Sequence, residues 1–286
     1  MRQHAAPMTF PKDGGSYIIL SPIELSIRRK IESIGKPLKD WDVQINYGIK
    51  TGCNEAFIIT TEKRDELLAQ CQTEEERQRT AELIRPILRG RDIKRYSYDW
   101  AGLWVICARL CEDIPTNYPT ICHHLESFIG KGKLGDNSTT KVFERPWWSW
   151  MQEPSYWKDF DRAKVMWKII GCNINFAFDR DGMLCNNAVN IMTGDERQLL
   201  QFVALMNSRL FDWYLKLTTE AEVQGGGIQL YVTTLETTPL QLSFPDTFCD
   251  AINAMTKNEK TIADIEYHIY ELYGLTAEEI TFLNIR

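Results

Sequence analysis

Ile23, Ile27, Ile31 and Ile34 recur at helical spacing between polar residues near the start of the chain. Ser21, Pro22 and Glu24 before them read as a capping box with proline at the first helical position, and Gly35 follows the last isoleucine. A helix over 22–34 is predicted. In an isolated module it would need its own groove, and in a longer protein it would link to a preceding domain, the reading preferred here. Residues 1–16, with Pro7, Pro11, Gly14 and Gly15, read as a tail or connector. From Trp41 to Thr60 the pattern is strand, loop, strand, with Gly48 and Gly52 bracketing the loop and Ala56 to Ile59 as an apolar β-type run. Thr73 with Glu76 opens a second helix that should reach about Arg85, where Pro86 ends or kinks it, and Gly90 closes whatever helical structure remains. A short strand over 102–108 and a helix over 118–128 precede a polar loop at 130–140.

Further on, 164–170, 176–178, 183–185 and 188–192 read as successive short strands with a turn at 179–182, which together suggest a curled antiparallel sheet. Leu199, Phe202, Leu205, Met206, Leu210 and Trp213 predict one long amphipathic helix over 195–217, and 248–273 reads as a second. Gly274 breaks the latter, and Thr276 with Glu279 caps a final helix. The fold class expected is α+β: a curled mixed β-sheet recognition domain with flanking helices and a helical C-terminal region. Its parts are a tail and connector helix (1–40), a mixed α/β lobe (41–193) and a helical lobe (194–286).

Composition adds little until charge is considered. A hydrophobic share of 44% and a charged share of 25% are ordinary for a globular chain. No apolar run approaches a membrane span and the first residues lack a signal-peptide core, so a cytoplasmic location without membrane partners is expected. The eight cysteines form no CxxC pair, and Cys107, Cys111, Cys122, His123 and His124 match no common zinc spacing, so no metal site is expected. The formal net charge is -6. Against that background Arg85, Arg89, Arg91, Lys94 and Arg95 face only Asp92, a basic patch suited to phosphates and base edges. The plainer alternative is a solvated face with Arg91 paired to Asp92.

The polar loop contributes Lys50, Thr51 and Asn54, which could serve either binding or turn chemistry. The stretch 145–157 holds four of the nine tryptophans; core packing is the ordinary role for such rings, and Trp148 is the candidate to lie beside a nucleic acid. Lys168, inside an apolar strand, faces either a ligand or solvent. Gln224, Gly226 and Gln229 either touch a sugar-phosphate backbone or form a simple connection.

GIKTGCNEAFII followed by I-x-P-x-LRGRDI-x-x-Y is similar to the TaqI-like C-terminal specificity domain of type IIG restriction-modification enzymes and adenine-specific DNA methyltransferases. The resemblance extends over nearly the whole chain. It implies sequence-specific recognition of double-stranded DNA, mostly in the major groove, for a methyltransferase catalytic domain acting in cis or in trans. That domain would bind S-adenosylmethionine, and magnesium where cleavage accompanies methylation. This chain carries none of the corresponding motifs: Glu153-Pro154-Ser155-Tyr156 lacks the Asn/Asp-Pro-Pro-Tyr/Phe pattern, and Pro245-Asp246 has no Glu-x-Lys downstream. The expected role is therefore a specificity part with no catalytic centre and no cofactor of its own. A protein-protein adaptor built on the tryptophan-rich segment and the long helices is the rival reading.

Overall fold

The computed structural model describes residues 20–130, 134, 146–219, 222–223 and 227–285. Helix α1 (Pro22–Ile34) begins with the anticipated capping box: the Glu24 amide donates to Ser21 Oγ at 3.4 Å and the Ser21 amide donates to Glu24 Oε2 at 2.8 Å. Ile27 and Ile31 are fully buried in the core shared with the C-terminal helices, where the helix lies against Pro239–Leu240, while Ile34 is exposed. The face that carries Ile27 and Ile31 thus finds a groove within the described residues.

Eight strands form two four-stranded sheets. They are β1 (Val43–Tyr47), β2 (Ile58–Thr60), β3 (Ile84–Leu88), β4 (Leu103–Ile106), β5 (Lys164–Lys168), β6 (Phe176–Asp179), β7 (Leu184–Cys185) and β8 (Val189–Gly194). The first sheet runs β1-β8-β5-β6 and is antiparallel throughout. The second runs β2-β4-β3-β7, its β3/β7 pair parallel, with Ile87 opposite Leu184. Neither is closed, and helices flanking an antiparallel and a mixed sheet agree with the α+β class; of the runs expected to form one curled antiparallel sheet, Leu184–Cys185 instead joins the second sheet.

Period-two alternation explains how the sheets stack. On one face of the first sheet, Val165, Trp167, Phe176, Phe178 and Met192 join the core shared with the C-terminal helices. On the other, Met166, Ala177, Val189 and Ile191 join Ile84, Ile87 and Val105 of the second sheet. The central strands therefore read as nearly continuous apolar runs.

Helices α2 (Thr61–Gln70), α3 (Glu74–Leu83) and α4 (Pro119–Glu126) flank the second sheet. Helix α3 has the expected Thr73 cap but ends at Leu83 and not near Arg85, because the following apolar residues pair as a strand, with Pro86 opposite Trp104. Of the run Ala56 to Ile59, read as β-type, Ala56 and Phe57 instead end a short helical turn, Asn54–Phe57, in which both are buried before β2 begins.

The helical region differs from expectation at two breaks. The segment 195–217 divides into α5 (Glu196–Met206) and α6 (Arg209–Thr218). Between them the Asn207 carboxamide accepts from the Phe176 amide at 3.0 Å and donates to the Phe176 carbonyl at 2.7 Å, completing the edge of β6 as a neighbouring strand would. Ser208 then caps α6, its Oγ accepting from the Phe211 amide at 3.2 Å. Likewise 248–273 divides into α7 (Asp246–Asn253) and α8 (Glu259–Leu272), with Met255 at φ 50 and Asn258 capping α8. The last helix, α9 (Ala277–Ile285), starts with the reciprocal Thr276–Glu279 bonds.

Candidate nucleic-acid interface

One edge of the paired sheets is made of loops laced together by backbone hydrogen bonds. Gly48 is required there: a Cβ at this position would lie 2.0 Å from the Asn186 carbonyl oxygen. That approach lets the Gly48 amide donate to Val189 O at 2.8 Å and the Ile49 amide to Cys185 O at 2.7 Å. The Asn186 amide in turn donates to Leu88 O at 3.0 Å, and Ile169 donates to Ala188 O at 3.0 Å. Leu230 donates to Ile169 O at 2.9 Å, which brings the Gly227–Gln229 strand alongside Ile170 and Gly171. Segments at 48–49, Leu88 and Ile169 thus converge on the turn 186–188, with the Gly227–Gln229 strand on the far side of Ile169.

Lys50 is exposed on this edge, whereas Thr51 is buried and donates its hydroxyl to Asn54 Oδ1 at 2.7 Å, so these two side chains shape the loop. Beyond β3 the chain enters a tight turn over Gly90–Asp92, so the arginines are displayed from a strand end and not from a helix end. Arg89 grips Asp92 with both Nε and a terminal nitrogen at 3.0 and 2.8 Å, and its amide donates to the same carboxylate at 2.8 Å. Burial of Asp92 opposes ionisation, but these donors outweigh it and hold the carboxyl below the usual range, with Arg91 adding to the field. Asp92 pairs with Arg89 rather than Arg91, and Arg91 is left exposed.

Lys94 is exposed and donates to the Arg91 carbonyl at 2.7 Å, closing the turn. Arg95 turns away to the helical region, where it pairs with Glu266 and donates to Asn207 O at 2.9 Å. Lys168 ends β5 beside Gly90 and lays its stem over Gly171. Gln229 stands opposite Ile170 in register. Trp148 is only 7% exposed and belongs to the core under the second sheet. Gln224 and Gly226 lie outside the described residues.

The structure therefore gathers Lys50, Arg91, Lys168 and Gln229 on one edge and directs Arg89, Arg95, Thr51 and Asn54 to internal bonds. Lys50, Arg91 and Lys168 form no ion pair among the described residues, while Arg85, Arg89, Arg95 and Arg109 are each paired to a carboxylate. The sequence reading missed Asn187, exposed in the middle of the edge, and Ile170, 50% exposed at its hairpin. An Asn-Asn doublet between two apolar runs was the available signal.

Beneath the arginine turn lies a second unanticipated group. Lys164 and Asp179 form a fully buried ion pair. Lys164 also donates to Phe160 O at 2.7 Å, and Asp179 accepts from the Tyr98 hydroxyl at 2.9 Å and the Met183 amide at 3.1 Å. Tyr98 bridges Ile93, so the pair anchors the foot of the turn. Burial and the carboxylates of Asp179 and Asp181 raise the Tyr98 hydroxyl above its ordinary range, keeping it a donor.

A family model of the TaqI-like C-terminal specificity domain matches residues 85–240, more than half of the chain. The chain belongs to that family. The matched span includes the arginine turn, Lys168, the 186–188 turn and Gln229, and the resemblance carried by the sequence motifs agrees with it. Among solved structures the domain is similar to the type IIL restriction-modification enzyme MmeI, determined in complex with DNA, with a TM-score of 0.54 and 13% identity over 87% of this chain and 35% of that one. It is also similar to the type IIG restriction endonuclease BpuSI, with a TM-score of 0.48 and 12% identity over 82% of this chain and 28% of that one. The chain thus spans about a third of the length of these enzymes, and the MmeI likeness is one of fold. No curated protein matches the chain. Among the described residues no helix is long and apolar enough to cross a membrane.

Proposed function

We propose that this specificity domain reads double-stranded DNA for an adenine-N6 DNA methyltransferase or a type IIG restriction-modification enzyme, while a catalytic domain performs the chemistry. Family membership over residues 85–240 carries the reading, and the edge of unpaired cations supplies its physical basis. Lys50, Arg91 and Lys168 are the groups that would meet phosphates or guanine edges, with Gln229 beside them. Arg89, Lys94, Arg95, Thr51 and Asn54 are positioning residues that hold the loops in shape. The catalytic domain would bring S-adenosylmethionine, receive an adenine rotated out of the duplex, and bring magnesium if cleavage occurs. It would also complete the basic cleft, which accounts for DNA binding by a chain of net charge -6.

Fluorescence anisotropy with random-sequence duplex DNA, at low and raised salt, tests the proposal. Binding that weakens steeply with salt and tightens when a methyltransferase catalytic region is added is the expected result. Absence of binding in both cases, with a protein partner captured instead, would favour an adaptor.

A further inference from the structure

The turn 186–188 sits at the centre of the proposed interface, and its two asparagines have different fates. Asn186 serves the fold: its Oδ1 accepts from the Ala188 amide at 3.2 Å, its own amide donates to Leu88 O, and its carbonyl accepts from the Val189 amide at 3.0 Å. Asn187 serves nothing internal. Its side chain is exposed and forms no hydrogen bond among the described residues. Its backbone is not left-handed, since only Tyr96 and Met255 among the described non-glycine residues have positive φ, so the turn has no conformational need for asparagine here.

The backbone presenting it is nevertheless fixed on both sides, by Ile49 to Cys185 O and Gly48 to Val189 O on one flank and by Asn186 to Leu88 O and Ile169 to Ala188 O on the other. Lys50 flanks the turn through the first set of bonds, and Gly90-Arg91 and Lys168 flank it through the second. A rigidly displayed carboxamide between cations able to hold phosphates is the arrangement that reads a base edge. A carboxamide offers a coplanar donor and acceptor, which match N7 and the N6 amino group of adenine in the major groove. Arg89, next to Leu88 on the second flank, does not compete for the base, since its guanidinium is committed to Asp92.

We infer that Asn187 is a specificity-determining residue that reads an adenine, its Oδ1 accepting from the N6 amino group and its Nδ2 donating to N7. This rests on the proposed recognition of duplex DNA. The test is selection from a fully randomised duplex library with the wild-type chain, Asn187→Ala and Asn187→Asp, followed by affinity measurements on the selected site. Asn187→Ala should lose the preference at one adenine position, keep it elsewhere, and bind the wild-type site roughly tenfold to a hundredfold more weakly. Asn187→Asp should favour cytosine there, whose N4 amino group donates to a carboxylate. Placing 7-deaza-2′-deoxyadenosine at that position should weaken the wild-type chain and leave Asn187→Ala unaffected. An unchanged motif in Asn187→Ala, or uniform weakening across all sequences, would overturn base readout while leaving DNA recognition intact. Failure of the wild-type chain to enrich any sequence both alone and with a methyltransferase catalytic region added would overturn the recognition reading itself, and this inference with it.

Discussion

Replacing Lys50, Arg91 and Lys168 together by alanine should reduce the salt dependence of DNA binding by an amount that follows from the structure. These cations lie on one edge and none is committed to a carboxylate among the described residues, so each is free to neutralise a phosphate. Each phosphate contact contributes about -0.9 to the slope of log affinity against log salt, so the three together contribute about -2.7. Between about 50 and about 200 mM salt, the wild-type chain should therefore lose roughly fortyfold more affinity than the triple variant. Single variants should each flatten the slope by about 0.9, without changing the preferred sequence. Fluorescence anisotropy at four or five salt concentrations, with matched duplexes, reads these slopes directly. A triple variant with the wild-type slope would show that DNA engages another face. A slope change confined to Arg91, with altered sequence preference, would assign that residue to a guanine and remove it from the phosphate count.

Other consequences concern how the edge is held in place. Arg95→Ala should cost about 1–2 kcal/mol in urea denaturation rather than weaken DNA binding directly, because it strips the guanidinium from buried Glu266, with solvent around Arg95 limiting the loss. Burial already pushes the Glu266 carboxyl above its ordinary range against the pull of Arg95, so its contribution favours the folded state at low pH and fades as pH rises through the folded value. The Arg95→Ala deficit should accordingly be largest at neutral pH and shrink on acidification; a deficit independent of pH would refute the assignment. Asp179→Ala should cost about 3–5 kcal/mol, since it leaves the buried Lys164 ammonium with Phe160 O alone. Lys164→Met should cost less, because Asp179 keeps Tyr98 and Met183 as donors, and denaturation curves showing the opposite order would contradict this account. Gly48→Ala should lower stability by about 1–3 kcal/mol through its clash with Asn186 O, whereas Gly90→Ala, whose Cβ would meet nothing closer than 3.4 Å, should stay within about 0.5 kcal/mol. Equal thermal shifts for the two would argue against the packing described at this edge.

The elements legible in the sequence were those whose causes are local. Ser21 with Glu24, Thr73 with Glu76 and Thr276 with Glu279 satisfy helix-end groups within one turn, so their residue types alone place the three helix starts. The strand runs of 164–192 were legible for a related reason: a sheet buried on both faces leaves apolar runs that only turns interrupt. The breaks at 207–208 and 254–258 were not. Helical periodicity continues through Asn207, and what stops the helix there is the Phe176 backbone, 31 positions away, which a side-chain amide can satisfy only if the helix ends. The passage of α3 into β3 has the same character, since Ile84 and Arg85 extend the helical pattern up to Pro86 until β4 and β7 present hydrogen-bonding partners on either side.

The interface divides along the same line. Sequence shows where cations are dense, but a cation becomes available for DNA only when no carboxylate in the fold claims it, and those claims are mostly long-range or depend on turn geometry. Glu266 removes Arg95 across 171 positions, and the turn at Gly90–Asp92 hands Asp92 to Arg89 instead of Arg91. Lys168 reaches the edge because Ile169 hydrogen-bonds Ala188. Periodicity is silent about Asn187, because it lies in an exposed turn between strand ends, where no packing constraint selects the residue type. A residue that the fold leaves without a task, on backbone that the fold holds rigid, is where a specificity domain can change the base it reads without changing its structure.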